Sequence, residues 1–281
     1  MIRKILQAII AIIVLFVGYY QFSDSEYQKD LIVYGFVALA TLAELLIEYI
    51  IINRKRLGLI IYSKWLGLRG HRIRFSMSYL YRIKIDDKYL LVRNNNFGHY
   101  QLVGGKYKLL DNTRSFIQKE FDAIDDPKLP NKDLMKDDFA LFIPAKKAIK
   151  FLDWFNEGKD REISHWREFY EELIEGKGKV LDKEKFPFVN YNFRGKVRTP
   201  IKRTPGWDCY EILQYDILDL LPTHEQRKEL KKLLEKGGSK YYKWADSELI
   251  QCLGHDNRTK TPIYKIGIHT KWALNMKWSK E

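Results

Sequence analysis

The first fifty-two residues constrain this chain most. From Ile5 to Phe22 the sequence ILQAIIAIIVLFVGYYQF runs for eighteen residues without a formal charge. At about 1.5 Å rise per residue, a helix of that length approaches the ~30 Å hydrocarbon thickness of a bilayer. Tyr19 and Tyr20 stand near its end, where interface-anchoring aromatics are found. A short polar stretch, Ser23 to Asp30, separates it from a second apolar run, Leu31 to Ile52. No small-residue cleavage site follows the first run and a second run does, so two spans are expected rather than a cleaved signal peptide. Arg3 and Lys4 precede the first run, Asn53-Arg54-Lys55-Arg56 follow the second, and the turn between is mostly acidic. The bias of positive charge towards the cytoplasm then predicts a multi-pass hairpin with both termini cytoplasmic. It covers residues 1–56, followed by a juxtamembrane linker over 57–71 and a cytoplasmic domain over 72–281.

The second run carries two carboxylates. Glu44 lies near its middle and Glu48 one turn further on, on the same helical face. An ionisable group at that depth costs about 3 kcal/mol on insertion scales and usually faces protein or water. Two readings stay open: a pair that snorkels to the interface, or a helix–helix contact or pore lining formed in a homo-oligomer.

The whole chain carries +13, with 49 Lys and Arg against 36 Asp and Glu. Residues 1–52 hold three basic and five acidic groups, a net of −2, so the remaining 229 residues carry +15. A domain this basic suits a polyphosphate ligand, nucleic acid or an anionic membrane face. The two cysteines, Cys209 and Cys252, exclude a disulfide-stapled scaffold and any multi-cysteine metal site. There is no Gly-rich phosphate loop ending in Lys-Ser or Lys-Thr and no Gly-x-Ser-x-Gly elbow, so neither a P-loop ATPase nor an α/β-hydrolase is supported.

Beyond residue 72 the pattern is mixed α and β. Alternation predicts strands over Ile73 to Ile85, Lys88 to Arg93 and Tyr100 to Val103, the last ending at Gly104-Gly105. Helices are expected over Arg114 to Ala123, Ala145 to Glu157 and Ser164 to Glu175, with a proline-marked loop around Asp126 to Asn131. Further strands are expected at Phe186–Tyr191 and Trp207–Asp216, a helix with Thr-x-x-Gln start chemistry at Thr223 to Glu235, and a last short helix near Asp246 to Leu253.

The helix at Ser164–Glu175 carries the most chemistry. Glu168, Glu171, Glu172 and Glu175 fall at spacings that place four carboxylates on one face, while Trp166, Phe169 and Leu173 can pack on a sheet. Like charges at these spacings repel. On periodicity alone this reads as a solvated acidic stripe, or as oxygen ligands for Mg2+ or Mn2+. From Lys183 to Arg203 there are seven basic residues and one acidic one, interleaved with Phe186, Phe188, Tyr191 and Phe193. Aromatics that stack on bases beside cations that pair with phosphates suit a nucleotide. A basic strand facing the anionic inner leaflet remains open beside that reading. His99, His165, His255 and His269 lack zinc-site spacing and read as structural.

Tyr81-Arg-Ile-Lys-Ile-Asp-Asp-Lys-Tyr-Leu-Leu-Val-Arg93, Tyr100-Gln-Leu-Val-Gly-Gly-Lys106 and Arg167-Glu-Phe-Tyr-Glu-Glu172 resemble the Nudix fold over about residues 72–275. About sixty residues, from Lys106 to Ile163, separate the Gly-Gly from the helix, where the family has about a dozen. Val103 stands for the usual proline, Asp111 for a glutamate and Ile174 for the closing glycine. This long insertion (about 106–163), behind two N-terminal spans, is similar to the SMODS-associated Nudix effectors of bacterial CBASS anti-phage systems. The resemblance implies an α+β chain: a transmembrane hairpin followed by a mixed-sheet α/β/α sandwich. It implies metal-binding carboxylates at Glu168, Glu171 and Glu172, ordered by Arg167. The Gly-Gly-Lys run and the basic aromatic segment together give the candidate ligand contacts Gly104, Gly105, Lys106, Tyr191, Phe193, Arg194 and Lys196. The implied partners are a cyclic oligonucleotide, membrane lipid and further copies of the chain at the bacterial inner membrane, with no DNA or RNA polymer. Two functions follow. One is a sensor whose ligand drives the spans to disrupt the membrane. The other is a tethered Mg-dependent hydrolase of nucleoside diphosphate derivatives using Arg167, Glu168, Glu171 and Glu172.

Overall fold

The computed structural model describes the chain except residues 1, 22–27, 55, 95–96, 128–137, 159–161, 163, 177, 205–207 and 280–281. The polar turn expected at Ser23 to Asp30 lies mostly outside the described residues, as do Lys55, Trp207 and the loop positions Leu129, Pro130 and Asn131. The chain divides into two units, Met1–Ile61 and Tyr62–Glu281.

In the first unit α1 (Ile2–Gln21) and α2 (Gln28–Asn53) pack along one another. A Cβ at Gly35 would overlap the Leu15 side chain, so glycine sets how closely the helices approach. Val33, Tyr34 and Phe36 on α2 are each more than half exposed. Apolar surface on that scale calls for lipid or protein rather than water. Glu44 and Glu48 are exposed on the same helix. Among the described residues, Ile32–Ile51 is the one helix long and apolar enough to cross a membrane. Of the two runs expected to span, only the second has the length and apolarity for it among the described residues. The first is helical over its length, but the side chains of residues 2–8, 11, 18 and 21 lie outside the described set.

The second unit takes up residues 62–68 of α3 (Leu57–Leu68), which leads into β1 (Arg72–Arg82). β1 is buried along nearly its whole length. It pairs in parallel with β9 (Tyr210–Leu220), from Ile73↔Tyr210 to Arg82↔Asp219, and antiparallel with β6 (Ala140–Pro144). β5 (Ile124–Asp125) extends the sheet beyond β6, and β7 (Tyr191–Arg198) and β8 (Lys202–Arg203) share the far side of β9. The result is a six-stranded mixed sheet. A second sheet orders β10 (Tyr242–Asp246), β3 (Lys88–Arg93) and β2 (Lys84–Ile85), with β4 (Tyr100–Leu102) also on β3. Asp86 turns the β2–β3 hairpin with φ +50°, a conformation that Asp tolerates.

Period-two alternation sorts the central pair into two faces. Phe75, Tyr79 and Tyr81 face helices: Phe75 packs at a tilt on Phe151 of α5 (Ala148–Glu157) at 4.7 Å, and Tyr81 meets Phe169 of α6 (Trp166–Phe169) at 5.7 Å. Phe121, which ends α4 (Asp111–Phe121), closes on Phe151 at 5.5 Å. On the other face Leu80, Leu213, Tyr215 and Ile217 share a core with Leu91 and Leu102 of the second sheet. Ile250 of α8 (Ser247–Gln251) and Trp272 and Ala273 of α9 (Ile268–Asn275) complete that core. One side of the main sheet is thus covered by helices and the other by the second sheet together with α8 and α9. α7 (His224–Glu235) starts with the capping box read from Thr223 and Gln226.

Two expected elements differ. Residues 186–190 form no strand: Phe186 is buried against Phe169, and pairing begins at Tyr191. The helix expected over 164–175 is α only from Trp166 to Phe169 and continues as a π turn over Tyr170–Ile174. The wider turn lets Leu173 and Ile174 both bury with Phe169, and the Glu175 N–H reaches back to the Tyr170 carbonyl.

Candidate ligand site at the glutamate helix

The end of β4 and the glutamate helix are locked together by backbone chemistry. After Leu102 the chain lies against β1, with the Tyr81 N–H donating to the Val103 carbonyl and the Tyr79 N–H to that of Gly105. Gly104 has φ +143°, and a Cβ there would overlap the Tyr79 carbonyl oxygen. A Cβ at Gly105 would overlap the Glu168 carboxyl group. Glycine is therefore required twice, once for conformation and once for the approach of a carboxylate.

Glu172 accepts a hydrogen bond from the Gly104 N–H at 2.8 Å. Arg167 donates through Nη2 to the Lys106 carbonyl at 2.8 Å, through Nη1 to Glu168 at 2.7 Å and to Glu171 at 3.2 Å, and through Nε to Glu162 at 3.2 Å. Glu162 in turn accepts from the Lys108 N–H at 2.6 Å. One guanidinium thus organises three carboxylates and pins the chain after Gly105. Burial works against its charge, but Glu168 and Glu162 outweigh that and hold Arg167 ionised. Burial raises the Glu168 carboxyl above its ordinary range against the pull of Arg167. Glu172 is pushed well above that range, first by burial and then by Glu168, with the Gly104 N–H opposing.

Gly104, Gly105, Lys106, Arg167, Glu168, Glu171 and Glu172 are therefore brought together. Glu175 leaves the group, because the π turn swings it away to accept from the Tyr170 hydroxyl at 2.8 Å. Lys106 is salt-bridged to Asp138 at 3.2 Å.

Beside this cluster runs a hydrogen-bond chain that the spacing of the histidines did not show. The Tyr107 hydroxyl donates to Asp216 at 2.7 Å and contacts His165 Nε2 at 2.8 Å, and His165 Nδ1 lies 3.0 Å from the Tyr191 hydroxyl. A carboxylate only accepts, so Tyr107 donates to Asp216 and accepts from Nε2–H. That assignment leaves Nδ1 to accept from Tyr191. Asp216 is buried in the middle of β9, and its Oδ1 has no partner among the described residues. His165 thus bridges Tyr107 and Tyr191 by hydrogen bonds while its ring packs on Tyr79 at 4.8 Å. Tyr191 joins it from β7, its ring 6.0 Å from that of Tyr81. Phe193, Arg194 and Lys196 continue along β7 and are exposed. Lys196 reaches Asn156 at 2.6 Å and sits over the Phe193 ring at 5.9 Å. Glu162, Tyr107 and Asp216 were missed in sequence, having no motif spacing to mark them. His99 packs against Gly267 and His269 is half-buried beside Trp272, where loss of solvation pushes its pKa down to about 4.

The carboxylate set has the donor chemistry of a hard divalent cation. The arrangement does not fit one: Glu172 is committed to Gly104, Glu168 and Glu171 to Arg167, and Glu171 points half into solvent. Among the described residues no three acidic, histidine or cysteine side chains converge on a metal position. The expectation of Mg2+ or Mn2+ held by Glu168, Glu171 and Glu172 is not met by this geometry.

Neither the curated proteins nor the solved structures provide a match to this chain. The family model described as the SMODS-associated NUDIX domain matches residues 72–274, from the start of β1 to the last turn of α9. The sheet, the Gly104-Gly105 approach and the Arg167–Glu172 helix all lie inside that span, and the chain belongs to the SMODS-associated Nudix family.

Proposed function

We propose that this chain is a CBASS effector of the bacterial inner membrane. In this reading its Nudix domain senses a cyclic oligonucleotide and drives the N-terminal helices to oligomerise and breach the bilayer. The observation that carries it is the order of parts: a SMODS-associated Nudix domain over residues 72–274 follows a helix, Ile32–Ile51, long and apolar enough to span. α1 pairs with α2, which is consistent with a hairpin whose two ends lie in the cytoplasm. The site favours recognition over hydrolysis. Its carboxylates are spent on Arg167 and Gly104, while Tyr191, Phe193, Arg194 and Lys196 present rings and cations along the exposed strand β7. Bases stack on such rings and phosphates pair with such cations. A ligand that binds the assembled state more tightly than the free one shifts the population towards assembly.

The test uses the full chain in lipid nanodiscs, incubated with Mg2+ and cyclic di- and trinucleotides, and separately with ADP-ribose and NAD. Tight binding of a cyclic oligonucleotide recovered intact, with an increase in particle mass, is the expected result. Metal-dependent cleavage of a diphosphate bond, lost in Glu172→Gln, would establish the hydrolase instead.

A further inference from the structure

Helix α3 enters the globular unit by one face only. Ser63 and Leu66 are buried, and Gly67 lies so close to the backbone of Lys146 that a Cβ would sit 2.9 Å from its nitrogen. The opposite face is apolar and open. Trp65 is 39% exposed and Leu68 is 90% exposed, three residues apart on one side of the helix. Tyr62 stacks on Trp65 at 5.6 Å, and the Arg69 guanidinium lies over the Trp65 ring at 3.7 Å. Cations border this surface: Lys64 and Arg69 are both exposed. No acidic residue occurs between Glu48 and Asp86, a stretch that contains Arg54, Lys55, Arg56, Lys64, Arg69 and Arg72.

We propose that residues 62–69 form a membrane-interface seat. Leu68 and Trp65 insert at the headgroup boundary of the inner leaflet, and Lys64 and Arg69 pair with anionic lipid headgroups. Chain continuity and charge select this occupant. The spanning segment ends at Ile51, and only a short connection whose charged residues, Arg54, Lys55 and Arg56, are all basic separates it from α3. An indole flanked by a guanidinium has the amphipathic character that interfaces select, and exposed cations near the anionic leaflet are attracted to it. The seat rests on the reading that α2 spans the bilayer, and it needs no nucleotide. It deepens that reading by fixing where the sensor domain meets lipid: β1 and β9 run from this end, at Ile73 and Tyr210, to the ligand site at Tyr81 and Leu218.

The experiment uses the full chain in a Cys209→Ser, Cys252→Ser background. An environment-sensitive nitrobenzoxadiazole label is placed at Leu68→Cys, with Asp87→Cys in the exposed β2–β3 turn and Val37→Cys in α2 as controls. Protein is reconstituted without nucleotide into phosphatidylglycerol-containing or phosphatidylcholine vesicles. The expected result is blue-shifted emission at position 68, loss of most of its intensity to lipid-borne nitroxide, and protection from aqueous iodide. Lys64→Glu with Arg69→Glu should abolish the preference for anionic vesicles. Iodide quenching at 68 equal to that at 87 would overturn the seat. Protection from both quenchers would also overturn it, assigning the face to a second copy. If position 37 is itself outside lipid, the spanning reading and the seat fall together. If 37 is in lipid and 68 is not, the seat alone fails.

Discussion

Replacing Arg167 by alanine removes the guanidinium that Glu162, Glu168 and Glu171 share, together with the donor to the Lys106 carbonyl. The Glu162 and Glu168 side chains are only 11% and 15% exposed, so their charges would lose their counter-ion in a poorly solvated place. Breaking a buried ion pair by removing one partner costs about 3–5 kcal/mol. Arg167 is itself 23% exposed and Glu171 51%, so solvent recovers part of that. The expected loss is about 2–4 kcal/mol after that discount. For a unit of 220 residues, Tyr62–Glu281, this lowers Tm by roughly 4–16 °C. Arg167→Lys keeps the charge but loses the fork that serves carbonyl and carboxylate at once, and should cost about 1–2 kcal/mol. Tryptophan-fluorescence melting of the full chain in nanodiscs at neutral pH gives both shifts. If Arg167→Ala melts within about 2 °C of the parent, the guanidinium does not organise this cluster and the account of the site is wrong.

Further outcomes follow from the same contacts. Glu172 has a folded pKa raised above its ordinary value of 4.5, so its contribution is most favourable below that value and is lost as pH rises through the raised one. Glu172→Gln, which still accepts from Gly104, should therefore gain stability relative to the parent as pH increases from 4.5. Melting at a series of pH values checks this, and a Gln variant that loses ground to the parent as pH rises would refute it. Tyr107→Phe deletes the link between His165 and Asp216, leaves a buried carboxylate without its donor, and should cost about 1.5–3 kcal/mol by denaturant titration. The double change Glu44→Leu, Glu48→Leu should leave nucleotide binding intact and abolish vesicle leakage. Leakage at the parent's rate would show that these exposed carboxylates are not the conduit.

What could be read in advance divides along physical lines. The hairpin at Lys88–Arg93 was legible because Asp86-Asp87 supplies its turn, and α7 because Thr223 and Gln226 form its cap. The Gly104-Gly105 approach to the glutamate helix was legible only through the Nudix resemblance, and the structure supplies its reason: a left-handed φ at Gly104 and room for a carboxylate at Gly105. The π turn was not, since i, i+3, i+4 spacing assumes a uniform helix and the demand to bury Leu173 and Ile174 together comes from the core. β6 was missed because it is short and ends at Pro144, and it forms only beside β1. β7 was displaced because Phe186 and Tyr191 share an aromatic pattern while only the latter pairs with β9. Asp216, Tyr107 and His165 lie on three separate segments, and only their hydrogen bonds reveal them as one chain.

The most direct measurement is dye release from vesicles carrying the full chain, made on adding a cyclic oligonucleotide, with the nucleotide analysed afterwards. The account predicts release that depends on the ligand, nucleotide recovered uncleaved, and no response in a variant that carries Phe193→Ala, Arg194→Ala and Lys196→Ala. Vesicles that stay sealed with ligand bound, or release that requires the nucleotide to be hydrolysed, would contradict it.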